Sequence, residues 1–126
     1  MTIVIIGQEA GELQSFIDHL RINGHEITTV SSKDEVQLLL TSENIETVLA
    51  HERDLLLVKE IIKLFPMLNY GVISSESTDV FHELTEGYGI FMQLPSPPGP
   101  KDADEMLARL QYLRGFTKIV AEGGRK

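Results

Sequence analysis

The chain has 126 residues, with eleven Lys and Arg against nineteen Asp and Glu and a formal net charge of −8. This is the size of one domain with an ordinary core, and its negative charge repels phosphate backbones, so we expect no direct binding to nucleic acid. The absence of cysteine excludes disulfides, thiolate catalysis and zinc sites built on Cys. No apolar run approaches the roughly 20 residues that span a bilayer. The first residues also lack the pattern of an export signal, so we expect a cytoplasmic domain without membrane contact.

The first half of the chain alternates strand and helix patterns. Thr2 to Ile6 is apolar or β-branched throughout, which is typical of a parallel strand covered on both faces. Apolar residues at helical spacing then predict a helix from about Ala10 to Ile22, ended by Gly24. A second strand is predicted over residues 25–30, and a second helix follows the serine pair at 31–32.

The second half continues the same alternation, with turn residues and prolines between the elements. The remaining strands are predicted at Glu46–Ala50, Tyr70–Ser74 and Ile90–Met92. The remaining helices are predicted at residues 54–65, at residues 80–86 and from about Asp102 to Thr117. A stiff loop with four prolines in seven residues, Leu94 to Pro100, precedes the last helix.

Five strands that alternate with five helices predict an α/β three-layer sandwich, because right-handed crossovers place helices on both faces of a parallel sheet. We predict the flavodoxin-like strand order 2-1-3-4-5, with the first strand central. Residues 1–117 are predicted to form the domain, and residues 118–126 a flexible tail or the start of a linker. A site in this fold would lie beyond the carboxyl ends of the strands, which for the first strand are Gly7, Gln8 and Glu9.

Several segments resemble the receiver domain of two-component response regulators, the CheY-like family, over nearly the whole chain. They are the run Ile3–Ile6 followed by three residues ending in Glu9, the junction Leu20–Ile27, and Asp104–Leu110 in the last helix. The dipeptide Leu94-Pro95 is similar to the Lys-Pro that follows the fifth strand in that family. The resemblance implies a signalling module that works with other proteins.

The resemblance also implies a phosphorylation pocket whose chemistry is degenerate here. The family places acids for magnesium after the first strand, an acceptor Asp after the third, Ser or Thr after the fourth and Lys after the fifth. The matching positions in this sequence are Gly7, Gln8, His51, Ser75 and Leu94. Gly7 and Gln8 supply no carboxylate for magnesium, and Leu94 supplies no cation to balance a phosphoryl group. We therefore predict a pseudo-receiver that lacks the phosphoacceptor Asp, is not an enzyme, and holds no metal or cofactor.

His51 and the serines leave other readings open. His51 could be phosphorylated, or could bind a metal with Glu9 or Glu52, but we favour a histidine hydrogen-bonded at a strand end. The sequence contains no nucleotide-binding fingerprint, and Ser74 and Ser75 show no nucleophile elbow.

Our functional prediction is a regulatory module that acts through protein contacts, most simply the N-terminal domain of a transcriptional regulator with an attached effector domain. The alternatives are a stand-alone adaptor, or a sensor or enzyme that binds an anion or nucleotide near Gly7 and Ser75. We expect contacts, including a possible homodimer, on the face of the fourth helix, fifth strand and last helix, although Phe91 and Phe116 could instead pack inward. The aromatic residues close to that face are Tyr88, Phe91, Tyr112 and Phe116.

Overall fold

A computed structural model describes residues 2–7, 11–42 and 44–123, with the side chains of all of these except residues 42 and 114–123. The strands are β1 (Thr2–Ile6), β2 (Glu26–Val30), β3 (Thr47–His51), β4 (Asn69–Ile73) and β5 (Ile90–Leu94). The α-helices are α1 (Gln14–Ile22), α2 (Lys33–Ser42), α3 (Leu55–Leu64), α4 (Thr78–Thr85) and α5 (Pro100–Gly123). A short 3-10 helix, Glu52–Asp54, lies between β3 and α3.

The strands form one parallel sheet in the order β2-β1-β3-β4-β5, which confirms the predicted fold class and the central place of β1. Ile3 and Ile5 of β1 face one core, and Val4 and Ile6 face the other. Because both faces of β1 are covered by apolar side chains, the strand needs no polar alternation.

The two cores lie on opposite faces of the sheet. The α1–α5 core consists of Ile3, Ile5, Phe16, Ile17, Leu20, Ile27, Leu49, Ile73, Met92, Leu94, Ala103, Met106 and Leu110. The α2–α3 core consists of Val4, Ile6, Val30, Val36, Leu40, Ile45, Val48, Ala50, Val58, Ile61, Ile62 and Tyr70. Helices α1, α2, α3 and α5 therefore cover the sheet with the apolar faces that their sequence spacing predicted.

Strand β5 is longer and less regular than its sequence suggested. It continues to Leu94, and its register with β4 shifts so that Tyr70 pairs with Ile90 but Gly71 pairs with Met92. Phe91 is thus the extra residue of a bulge. The missing side chain at Gly71 makes room there, since a Cβ atom would lie 2.8 Å from Leu49 Cδ2 and 3.4 Å from Phe91 Cε1.

Helix boundaries differ from the sequence prediction at both ends of the chain. Helix α1 begins at Gln14, after a turn at residues 11–13, because Gly11 is a poor helix former. Helix α5 begins at Pro100 and continues to Gly123, and the domain boundary at residue 117 stays a prediction. At 1.5 Å per residue α5 is about 36 Å long, roughly twice the length of a five-residue strand. Within the described part of the chain, no helix combines the length and apolar character needed to cross a bilayer.

Candidate functional site

The carboxyl edge of the sheet contains a small cavity between the ends of β1, β3 and β4 and the loop after β5. Its volume is about 20 Å³. It is lined by Ile6, Gly7, Glu12, Leu13, His51, Arg53, Ile73, Ser96, Pro97 and Pro98. A polar cavity needs roughly 10–15 Å³ to hold one water molecule, so this space has room for about one.

Gly7, which lines this cavity, has a backbone conformation that other residues rarely adopt. Its φ is +137°, and its N–H donates to Val30 O at 2.8 Å. A Cβ at this position would lie 3.7 Å from Asp54 Oδ2, so conformation, and not space, selects glycine here. Gln8 and Glu9, predicted to stand beside it, lie outside the described residues.

His51 ends β3, is half-buried, and is hydrogen-bonded through both ring nitrogens. Nδ1 accepts the N–H of Arg53 at 3.2 Å, and Nε2 lies 3.4 Å from Ser96 Oγ. A neutral ring whose Nδ1 accepts must carry its proton on Nε2, which then donates to the Ser96 hydroxyl. In this tautomer Nε2 cannot take a proton from Ser96, so the pair is not arranged as a nucleophile and its base. Nδ1 is likewise engaged, by the backbone N–H of Arg53.

Leu94, predicted at the lysine position of the pocket, is not brought to the cavity. It is fully buried in the α1–α5 core, on the same side of β5 as Met92. The polar side chain that the β5–α5 loop contributes is Ser96, which precedes a cis peptide bond to Pro97. Two dipeptides of the loop, Leu94-Pro95 and Ser96-Pro97, have the same X-Pro form, and the strand register decides which of them faces the cavity.

Ser75, predicted as the pocket hydroxyl, is exposed and does not line the cavity, whereas the neighbouring Ser74 is buried. Ser74 Oγ donates to Glu52 Oε2 at 2.7 Å and accepts the N–H of Glu76 at 3.1 Å. The Gln93 amide nitrogen donates to the carbonyls of Ser74 and Glu76, at 3.3 and 2.8 Å. Sequence reasoning missed this cluster, although Glu52 and Ser74 follow neighbouring strands at the same edge of the sheet.

Two of the four aromatic residues of the predicted interaction face line the same groove. Phe91 and Tyr112 meet in an apolar groove of about 510 Å³, which is lined by Phe91, Glu105, Ala108, Arg109, Tyr112 and Leu113. We call this the α5 groove. Phe91 also packs against the α1–α5 core, and Arg109 NH1 donates to its carbonyl at 3.4 Å.

Of the other two predicted aromatic residues, Tyr88 does not line that groove. Tyr88 packs against the α2–α3 core, with Lys59 Nζ 4.7 Å from its ring centroid. The side chain of Phe116 lies outside the described ones. Among the residues that the structure describes, no group of three or more His, Asp or Glu side chains could hold a metal ion.

No protein-family model and no curated protein matches this sequence. Solved structures do match. The chemotaxis response regulator CheY4 of Vibrio cholerae is 13% identical with a TM-score of 0.72, over 86% of this chain and 96% of that one. The signal receiver domain of an HD domain-containing protein from Pseudomonas fluorescens Pf-5 is 14% identical with a TM-score of 0.75, over 93% and 91%. The fold is that of a CheY-like receiver domain.

A third solved structure is also similar to this chain. It is described as an atypical orphan response regulator with a phosphorylation-independent regulatory mechanism, and it is 17% identical with a TM-score of 0.73, over 89% of this chain and 97% of that one. At identities this low the comparisons establish a shared receiver fold and nothing further. Any functional argument must therefore come from the residues of the site.

Proposed function

We propose that this chain is a receiver-like regulatory module that acts through protein contacts and is not switched by aspartyl phosphorylation. The observation that carries the proposal is His51, which stands at the end of β3 with Nδ1 bonded to the Arg53 N–H. A histidine in this state offers no carboxylate oxygen to a phosphodonor. The phosphorylation-independent orphan regulator with the same fold supports the same reading.

Among the residues that the structure describes, the surroundings of His51 do not reproduce the acid set that the resemblance implies for magnesium. Magnesium is usually held by one or two carboxylates together with waters, and Gly7, at the position of the first acid, has no side chain. The carboxylate of Glu52 is hydrogen-bonded to Ser74. Glu12 lines the cavity and Asp54 Oδ2 would lie 3.7 Å from a Cβ at residue 7, but neither residue stands at the end of β1. Arg53, which carries a positive charge, lines the cavity. Our proposal therefore rests on the missing acceptor Asp and on the small size of the cavity more than on the missing lysine.

The alternative of a ligand sensor or enzyme at this edge receives less support. A cavity of about 20 Å³ is far smaller than the roughly 300–1,000 Å³ of typical ligand pockets. The Nε2–H tautomer of His51 also removes the general base that Ser96 would need. Contact with other proteins is the function that these features favour.

The α5 groove is the surface that we propose for such contacts. Tyr112 is 72% exposed at its rim, and aromatic residues are enriched in interface cores. The matching domain from Pseudomonas fluorescens belongs to an HD domain-containing protein, so the fold occurs joined to other domains. We propose a similar arrangement here, with an effector domain of a transcriptional regulator attached through α5, or a second copy of the chain bound at the groove.

The phosphorylation part of the proposal is tested by intact mass. The protein is incubated with acetyl phosphate and magnesium, beside a receiver domain that has the complete acid set as a positive control. We expect the control to gain one phosphoryl group and this chain to keep its mass. A stoichiometric gain of one phosphoryl group in this chain would overturn the proposal.

A further inference from the structure

Helix α4 is held to the sheet by unusually little apolar burial. Phe81 is its one buried apolar side chain, and it belongs to neither core. Val80 and Leu84 on the same helix remain 39% and 40% exposed. The other four helices each bury at least two apolar side chains in a core. Elements with few buried apolar contacts open at low free-energy cost, so something else must fix the position of α4.

A polar cluster fixes the segment that leads into α4. Ser74 directly follows β4, and Ser77 caps α4 by accepting the N–H of Val80. Between these serines, Ser74 Oγ binds Glu52 Oε2 and the N–H of Glu76, while Gln93 holds the two carbonyls described above. The segment is therefore tied to the end of β3 through Glu52 and to β5 through Gln93.

The bond between Glu52 and Ser74 is the strongest member of this cluster by its geometry. At 2.7 Å it is short, its acceptor is a carboxylate, and it is partly buried. Hydrogen bonds to ionised acceptors are roughly twice as strong as neutral ones. The same Ser74 oxygen receives the N–H of Glu76, so the carboxylate of Glu52 orients the hydroxyl that holds the loop.

We propose that Glu52 is a positioning residue for α4, and that the Glu52–Ser74 hydrogen bond, more than apolar packing, decides where this helix lies. The groove between α4 and β5 depends on that position. It measures about 300 Å³ and includes Thr78, Phe81, His82, Thr85, Phe91 and Arg109 among its lining residues. The Glu52–Ser74 bond positions α4 whether or not the α5 groove binds a partner.

Amide hydrogen exchange followed by mass spectrometry tests the proposal on the whole chain. Glu52→Ala and Ser74→Ala each remove one side of the bond, and we expect α4 amides to exchange about tenfold faster in either variant. Amides of β1 and α1 should stay within about twofold of the wild type, because their core contacts are unchanged. Glu83→Ala, which removes an exposed carboxylate on α4 itself, is the matched control and should leave exchange in α4 unchanged.

The double variant decides whether the two residues act through one bond. If they do, Glu52→Ala combined with Ser74→Ala should exchange no faster in α4 than the faster single variant. The proposal is overturned if either single variant leaves α4 within about twofold of the wild type, or if exchange rises equally in β1 and α1. Should Glu52→Ala fail to fold, Ser74→Ala removes a single oxygen atom and remains decisive.

Discussion

Replacement of Leu49 by alanine should destabilise the domain strongly. Leu49 has no exposed surface, lies at the centre of β3 and belongs to the α1–α5 core. Leu→Ala changes in cores cost about 2–5 kcal/mol, with the larger values where the cavity cannot collapse. Leu49 Cδ2 lies over Gly71, and a glycine has no side chain that could move into the space. We therefore expect a loss of about 3–5 kcal/mol in the free energy of unfolding.

Urea unfolding followed by circular dichroism measures this loss, with Leu56→Ala as the control. Leu56 is a leucine on α3 that is 80% exposed, so its replacement should change stability by less than about 0.5 kcal/mol. A loss below about 1 kcal/mol for Leu49→Ala would refute the placement of β3 in the core.

A second substitution tests the contact with Gly71 directly. Gly71→Ala alone should be destabilising, because the new Cβ would lie 2.8 Å from Leu49 Cδ2. In the Leu49→Ala background the same methyl group enters the vacated space, so its cost should fall. Additive effects of the two substitutions would contradict the contact.

The remaining predictions concern three other residues. Tyr70 donates to Phe65 O at 2.6 Å and its burial raises the pKa of the phenol well above the ordinary value. The unfolded chain therefore loses the phenol proton at a lower pH than the folded chain. The stabilisation from Tyr70 is complete below about pH 10 and is lost as pH rises above it. In urea melts at pH 9, 10 and 11, the free energy of unfolding should fall more steeply with pH for the wild type than for Tyr70→Phe, by up to about 1.4 kcal/mol per pH unit. Equal slopes would contradict the burial of Tyr70. His51→Ala should cost about 1–3 kcal/mol in the free energy of unfolding, since two hydrogen bonds of a half-buried ring are lost. A denaturant melt showing more than about 3 kcal/mol would mean that the ring has a larger structural role. Light scattering should show a concentration-dependent dimer for the wild type and a folded monomer for Tyr112→Glu; a wild type that stays monomeric would remove the homodimer and leave the α5 groove to a different protein.

The fold could be predicted from the sequence because its signals are local and mutually consistent. The unbroken apolar run of β1 requires cover on both faces, and the structure supplies it from alternate residues of the same strand. Gly24 ends α1 with φ of +87°, and Ser32 caps α2 by accepting the N–H of Glu35. Each of these patterns involves only neighbours within a few residues. Together they predicted the strand order 2-1-3-4-5.

The details of the site depended on register, which the sequence does not show. Because successive side chains of a strand face opposite sides, an error of one residue changes the side chain that reaches the cavity. The bulge at Phe91 and the length of β5 place Leu94 in the core and leave Ser96 beside His51. At the end of β4 the same alternation separates buried Ser74 from exposed Ser75. The role of Glu52 could not be predicted before that alternation was known.

The guanidinium of Arg109, bound to the carbonyl of Phe91, has a counterpart at the opposite border of the sheet. Arg21 on α1 donates to the carbonyl of Ile27 in β2 at 3.3 Å. Since β2 and β5 are the two outermost strands, each border has one backbone acceptor occupied by an arginine from an adjacent helix. Unoccupied acceptors on border strands invite chains from other molecules to add to a sheet and aggregate. A chain that paired along the whole of either border strand would have to displace this arginine from its carbonyl.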